Sequence, residues 1–225
     1  MNIETVLPAI AQTGLVPRGA MRLDDSERES KLAGVRTIVV VGMAGRVGWD
    51  AFAASAEARD RLDHPLDRWS RRVIDALAAD LGALTLYPFG EPPCWPFQQW
   101  ARRCEPVHPA PIGLLIHPAY GLWHSYRGAM GFSQAIDVPA LAPSASPCES
   151  CQARPCLAAC PVGAFTTSGF DVAACAVHLK SDAVAECMMG GCLARRACPI
   201  GAEHAHGVKQ AGFTMQAFLR ARTGP

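Results

Sequence analysis

The hydrophobic positions between Asp67 and Leu81 recur at helical spacing. Trp69, Val73, Ile74, Leu77 and Leu81 share one face, which predicts an amphipathic helix closed by Gly82. Two shorter helices are expected: one from Ile3 to Gln12 with Gly14 just beyond it, and one from Phe97 to Arg103, where Pro96 is pre-set for a first turn. Continuous apolar runs at Arg36 to Val41, Ala83 to Tyr87 and Ile112 to Ile116 read instead as buried strands. Helices and strands mixed in this way predict an α+β fold whose N-terminal part is a mixed α/β layer structure.

The pattern fades near Pro139 to Pro147, where VPALAPSASP has the Pro, Ala and Ser bias of a linker. The expected organisation is a domain over residues 1–138, a linker over 139–147 and a small domain over 148–225. In the last part, Asp171 is placed to cap a helix through Val172 to Leu179, and Thr214 one from Met215 to Arg222. A region this small buries too little apolar surface to be rigid unaided, so a restraint other than a core is required.

Composition points to that restraint. Half of the 225 residues are hydrophobic, and 21 Lys and Arg balance 20 Asp and Glu, so no electrostatic footprint for nucleic acid or an anionic membrane exists. No stretch approaches the roughly 20 apolar residues of a membrane span. Glu4 and Pro8 interrupt what a secretory signal would need at the start, so the cytoplasm is the expected location. There, the 10 cysteines are kept from pairing as disulfides, and metal or cluster binding becomes the default reading.

Eight of those cysteines follow the linker in two related runs. The first, Cys148-x2-Cys151-x4-Cys156-x3-Cys160-Pro161, is close to the bacterial ferredoxin pattern, with two extra residues before the third cysteine. The second, Cys187-x4-Cys192-x5-Cys198-Pro199, is a looser copy, and the two end alike in Cys-Pro-Val-Gly-Ala and Cys-Pro-Ile-Gly-Ala. In dicluster ferredoxins the cysteine before proline ligates the other run's cluster. Applied to this chain, Cys148, Cys151, Cys156 and Cys198 would hold one [4Fe-4S] cluster. Cys160, Cys187 and Cys192 would hold a second, with Cys175 on the intervening helix as the natural fourth ligand. The competing reading is zinc, but two Cys₄ zinc sites want a tight C-x2-C pair on each side, and only Cys148 and Cys151 comply. Cys94 and Cys104 are left over and read as small buried hydrophobes.

Other motifs are weaker. Gly42-Met-Ala-Gly45-Arg-Val-Gly48 lacks both the dinucleotide fingerprint and the P-loop lysine, so it reads as a glycine-rich turn. His108, His117 and His124 fall in one stretch with Tyr120, Trp123 and Tyr126, a mixture suited to a planar, partly apolar ligand or to packing.

Taken with the cysteine runs, the stretch Gly113-LLIHPAYGLW-His124 resembles the epoxyqueuosine reductase family, which shows the same pieces in the same order. The resemblance implies a nitroreductase-like N-terminal domain that binds a cobalamin, followed by a ferredoxin-like region with two [4Fe-4S] clusters feeding electrons to the cobalt. It also implies that Leu115, Ile116, His117, Pro118, Tyr120, Gly121 and Trp123 line the corrinoid pocket. An external electron donor, such as a ferredoxin, a flavodoxin or a reductase, would complete the system. The chain departs from the family where a catalytic aspartate is expected, since Glu91 is the only acid in Tyr87 to Gln98. A relative of the reductase is therefore expected. A ferredoxin-type carrier with no substrate of its own and a corrinoid-processing or trafficking protein stay open as alternatives.

Overall fold

The computed structural model describes residues 2–28, 32–90, 95–181 and 186–223. Glu91 and Cys94 lie outside these residues. The chain folds into two compact units: residues 1–106 with 124–143, and residues 107–123 with 144–225.

The first unit is built on a four-stranded antiparallel sheet in the order Val16–Arg22, Thr37–Ala44, His124–Phe132, Leu84–Leu86. Thr37–Ala44 lies at the centre and is buried along its whole length, as its β-branched run demands. The helix Pro65–Leu81 begins with Pro65 in its first turn and ends at Gly82 in the left-handed conformation, burying Trp69, Ser70, Ile74 and Ala78. Ile3–Gln12 is capped by Asn2, whose side chain accepts from the Glu4 N–H at 3.2 Å. Phe97–Cys104 buries Phe97, Trp100 and Ala101, the first two in a core shared with Met21, Ile38, Val40 and Leu86. Mixed α and β elements are thus observed as expected. Two of the sheet's strands, Val16–Arg22 and His124–Phe132, have no counterpart among the sequence-predicted elements.

The second unit is short on regular structure. Its helices are Pro155–Ala158, Val172–Ser181, Glu186–Gly190, Leu193–Arg196 and Val208–Thr223, with two-residue ladders at His108–Pro109/Leu115–Ile116 and Phe165–Thr166/Gly169–Phe170. Asp171 caps its helix as expected, accepting from the Ala174 N–H at 2.9 Å. Thr214 does not cap: the last helix starts at Val208, and the Thr214 hydroxyl donates back to the Gln210 carbonyl at 2.9 Å from mid-helix.

Ile112 to Ile116 also differs from expectation. Only Leu115–Ile116 is extended, because Ala110 to Gly113 form a turn in which the Gly113 N–H donates to the Ala110 carbonyl at 3.0 Å. The whole segment Val107–Trp123 belongs to the second unit, whereas the sequence reading put it in the first. The reason is packing: Ala110, Ile112, Ile116 and Leu122 join Cys156, Ala194 and Cys198 in one hydrophobic cluster. Among the described residues no helix is long and apolar enough to cross a membrane.

Candidate metal centre

The eight cysteines after the linker are held by short elements placed at tight backbone turns. Arg154 adopts a left-handed conformation (φ 38°), which starts the helix Pro155–Ala158 at Pro155 and turns Cys156 inward. Cys192 sits at the N-cap of Leu193–Arg196, and Cys198 follows that helix, its N–H donating to the Arg195 carbonyl at 3.3 Å. Cys175 lies on Val172–Ser181 and Cys187 on Glu186–Gly190.

Their mutual fields sort these thiols into two sets. The thiol pKa of Cys148 is raised by burial and by the charges of Cys198, Cys156 and Cys151. Burial and Cys198 and Cys151 act likewise on Cys156, while burial and Cys151 act on Cys198. In the other set, burial and the charges of Cys192, Cys160 and Cys187 push Cys175 up to about 11. Burial and the charges of Cys187 and Cys160 also raise Cys192.

The first set lines a single small cavity, shared with Ile116, Pro147, Pro155 and Pro199. Cys148, Cys151, Cys156 and Cys198 all border it, and Cys160 does not. Cys175 and Cys187 pack in a cluster built on Leu179, Met188 and Met215, which Cys192 also touches, whereas Cys160 and Cys192 pack with Cys148, Cys156 and Cys198 against Ile112, Ile116 and Leu122.

The donor chemistry suits an iron–sulfur body. Eight soft thiols gather in two fours, several of them already receive N–H groups, and burial that penalises the bare thiolate would be offset by a bound cation. The Ala164 N–H donates to Cys160 Sγ at 3.3 Å. Cys192 receives the N–H groups of Arg195 and Ala194, and Cys198 that of Ile200. Among the described residues no group of three or more His, Cys, Asp or Glu side chains is placed to hold a single metal ion.

The segment expected to line a corrinoid pocket is taken up by packing. His117 and Gly121 exchange two backbone hydrogen bonds of 2.8 Å, closing a tight turn that leaves Pro118 exposed. Ile116 is 1% exposed and Trp123 3%. Leu115 is half-buried in its ladder with His108–Pro109. Tyr120 meets the His117 and His204 rings, with centroids 4.7 and 5.1 Å away. Gly121 has no room for a side chain, since a Cβ there would come within 1.8 Å of the Ile200 carbonyl oxygen. Of the seven residues, Ile116, Gly121 and Trp123 are thus buried, while Leu115, His117 and Tyr120 are half-buried and Pro118 is exposed.

Three groups of this unit were not singled out from the sequence. Arg195 donates from Nε and Nη2 to the Leu122 carbonyl at 2.9 and 2.6 Å and lies 4.5 Å from the Trp123 ring centroid, and His206 packs 5.1 Å from the same ring. Ser146 accepts the Cys148 N–H at 3.3 Å.

The first unit contains a separate buried network that carries no sequence signal, its members being 87 and 21 positions apart. Arg18 and Glu105 form an ion pair at 2.8 Å, and the Tyr126 hydroxyl donates to Glu105 at 2.6 Å. Burial pushes the Glu105 carboxyl up, opposed by Arg18 and Tyr126. The neighbouring Cys104 thiol is pushed up to about 12 by burial, in keeping with a packed, inert cysteine.

The architecture is that of a mixed α/β protein with a cysteine-rich companion unit, and solved structures of the same fold exist. A selenomethionine-labelled epoxyqueuosine reductase matches with a TM-score of 0.58 and 15% identity, over 93% of this chain and 68% of that one. Epoxyqueuosine reductase from Bacillus subtilis, with its catalytic loop swung out of the active site, gives 0.57 and 16% over 93% and 68%. An epoxyqueuosine reductase in complex with a tRNA-Tyr stem loop gives 0.54 and 17% over 92% and 67%. No family model and no curated protein matches the chain. The chain thus shares the fold of epoxyqueuosine reductase at low identity.

Proposed function

We propose that this chain is an iron–sulfur redox protein of reductase type, with one [4Fe-4S] cluster on Cys148, Cys151, Cys156 and Cys198 and another on Cys160, Cys175, Cys187 and Cys192. The observation that carries the reading is the cavity bordered by Cys198 together with all three early cysteines of the first run and not by Cys160. Such a lining supports the crossed arrangement of ferredoxin-type pairs, in which each run lends its last cysteine to the other. The spacing favours a polynuclear body over zinc, because only Cys148 and Cys151 form the tight C-x2-C pair that a Cys₄ zinc site wants.

When bound, such clusters supply one-electron transfer. The chain's own residues do the rest. Thiolates of both runs hold the iron, amide N–H groups aimed at Cys160, Cys192 and Cys198 stabilise added negative charge, and Pro161 and Pro199 have no N–H and turn the backbone away. Thiol ligation calls for a reducing compartment, which makes the cytoplasm part of the proposal. An external donor such as a ferredoxin, flavodoxin or reductase would supply the electrons. The ferredoxin-like character of the second unit and a nitroreductase-like first unit belong to the same reading, supported by the likeness of fold. Corrinoid-dependent reduction has the same support, and Leu115, His117, Pro118 and Tyr120 are the residues of the stretch left accessible to such a ligand. The burial of Ile116, Gly121 and Trp123 favours, as a second reading, a carrier that passes electrons to a separate protein.

Single Cys→Ser variants purified without oxygen test the ligand sets. Cys156→Ser and Cys198→Ser are expected to perturb the same electron paramagnetic resonance signal, and Cys160→Ser and Cys175→Ser the other. A Cys198→Ser protein that instead shares its altered signal with Cys187→Ser would contradict the crossed assignment.

A further inference from the structure

The last helix, Val208–Thr223, rests on elements that carry thiols of the second set. Its main neighbour is Glu186–Gly190, which bears Cys187, and the next is Val172–Ser181, which bears Cys175. Met215 shares a buried cluster with Leu179, Cys187 and Met188, and Phe218 and Leu219 pack against that cluster, as do Cys175 and Cys192. Among the described residues no cysteine of the first set belongs to it. One turn earlier the fit is tighter: a Cβ on Gly191, the residue before Cys192, would come within 3.0 Å of the Ala211 Cβ. Just before the helix, Gly207 stands in open space and Val208 is 67% exposed, so the hold lies along the helix face and not at its root.

The platform beneath is slight. The five residues of Glu186–Gly190 fall well below the roughly 12 at which an isolated helix begins to hold in water, so that element depends on its packing and on what Cys187 holds. The helix above inherits the dependence. Linkage makes it mutual, since ligation that favours docking is itself favoured by docking, through the same coupling free energy.

We propose that Val208–Thr223 is a latch on the centre formed by Cys160, Cys175, Cys187 and Cys192: docked while these thiols are ligated, and released when ligation is lost, which uncovers the apolar stripe of Ala211, Met215, Phe218 and Leu219. The centre on Cys148, Cys151, Cys156 and Cys198 does not control it. This rests on the two-cluster reading.

Hydrogen exchange of the anaerobic holoprotein, read by mass spectrometry over residues 211–219, tests the first half. Cys160 packs outside the helix's cluster, so Cys160→Ala removes a ligand without altering a helix contact; Cys175→Ala is added if iron analysis still shows both centres. Exchange over 211–219 is expected to rise by roughly tenfold or more once that centre is lost, and to stay near the parent's when Cys148→Ala and Cys151→Ala together remove the other. The reciprocal half uses Ala211→Leu, which overfills the contact with Gly191 and touches no ligand, and Ala211→Asp, which places a charge there if leucine is accommodated. With the helix undocked, a chelator is expected to bleach one electron paramagnetic resonance signal faster than in the parent, the one missing from the Cys160→Ala protein, and the other at the parent's rate. Equal exchange after loss of either centre, or an undocked helix with parental iron release from both, would overturn the latch. A parent protein without two clusters would overturn the underlying reading instead, and this inference with it.

Discussion

Trp123 shows how much of a side chain's surroundings a linear stretch of sequence leaves out. Its indole, expected at the edge of a ligand cleft, is buried between Arg195 and His206. Neither its Nε1–H nor His206 Nδ1 has a hydrogen-bond partner among the described residues. Burial, with Arg195 adding to it, depresses the His206 pKa to about 3 and keeps the imidazole neutral. The unfolded chain would take up a proton near pH ~6.5, so the folded state loses stability as pH falls below that value, down to about 3. Between pH 7.5 and 5.5 that loss is about 1 kcal/mol. His206→Gln should therefore lose less urea resistance than the parent over this interval, and equal losses would contradict the assignment. The two cysteine runs were readable because their spacing is local. Arg195 was not, because it bonds a carbonyl 73 residues away.

Elements with a strong internal period were the ones the sequence disclosed. The Pro65–Leu81 helix has an apolar stripe and a glycine stop, Ile3–Gln12 a cap and a buried Val6 and Ile10, and Thr37–Ala44 an unbroken β-branched run. His124–Phe132 escaped because its pattern is diluted by Gly128 and Gly131, whose missing side chains are replaced by Ile74 and Val35 from other elements. Val16–Arg22 escaped because Pro17 and Gly19 argue against a strand, and the Pro17-to-Ala20 irregularity that accommodates them appears only in the paired sheet.

The turn at Gly121 yields the test at this scale. Gly121 (φ +54°) and Gly201 (φ +66°) let two backbones pass so closely that a Cβ on either would strike main-chain atoms of the other, at 1.8 Å and 2.4 Å. Gly82 has a similar φ of +64° with open space around it. Gly121→Ala is expected to cost about 3 kcal/mol, combining left-handed strain with a clash, and to lower iron retention, since Ile200 and Cys198 border one cavity. Gly82→Ala should cost only about 1 kcal/mol. Similar urea midpoints for the two variants, with full iron in both, would show that the close crossing does not matter.

For the molecule as a whole, the two units were partly visible in the sequence: the cysteine density after residue 147 marks the second. Its other piece, residues 107–123, was not visible, because membership depends on Ile112, Ile116 and Leu122 packing beside Cys156 and Cys198 rather than on any property of the segment alone. Under the proposed function, a unit with such small cores would gain much of its order from the bound clusters. Metal and sulfide analysis of protein purified without oxygen therefore tests the account most directly. Two cubes on eight thiolates predict about eight irons and eight acid-labile sulfides per chain. Stoichiometric zinc, or about four irons, would contradict it.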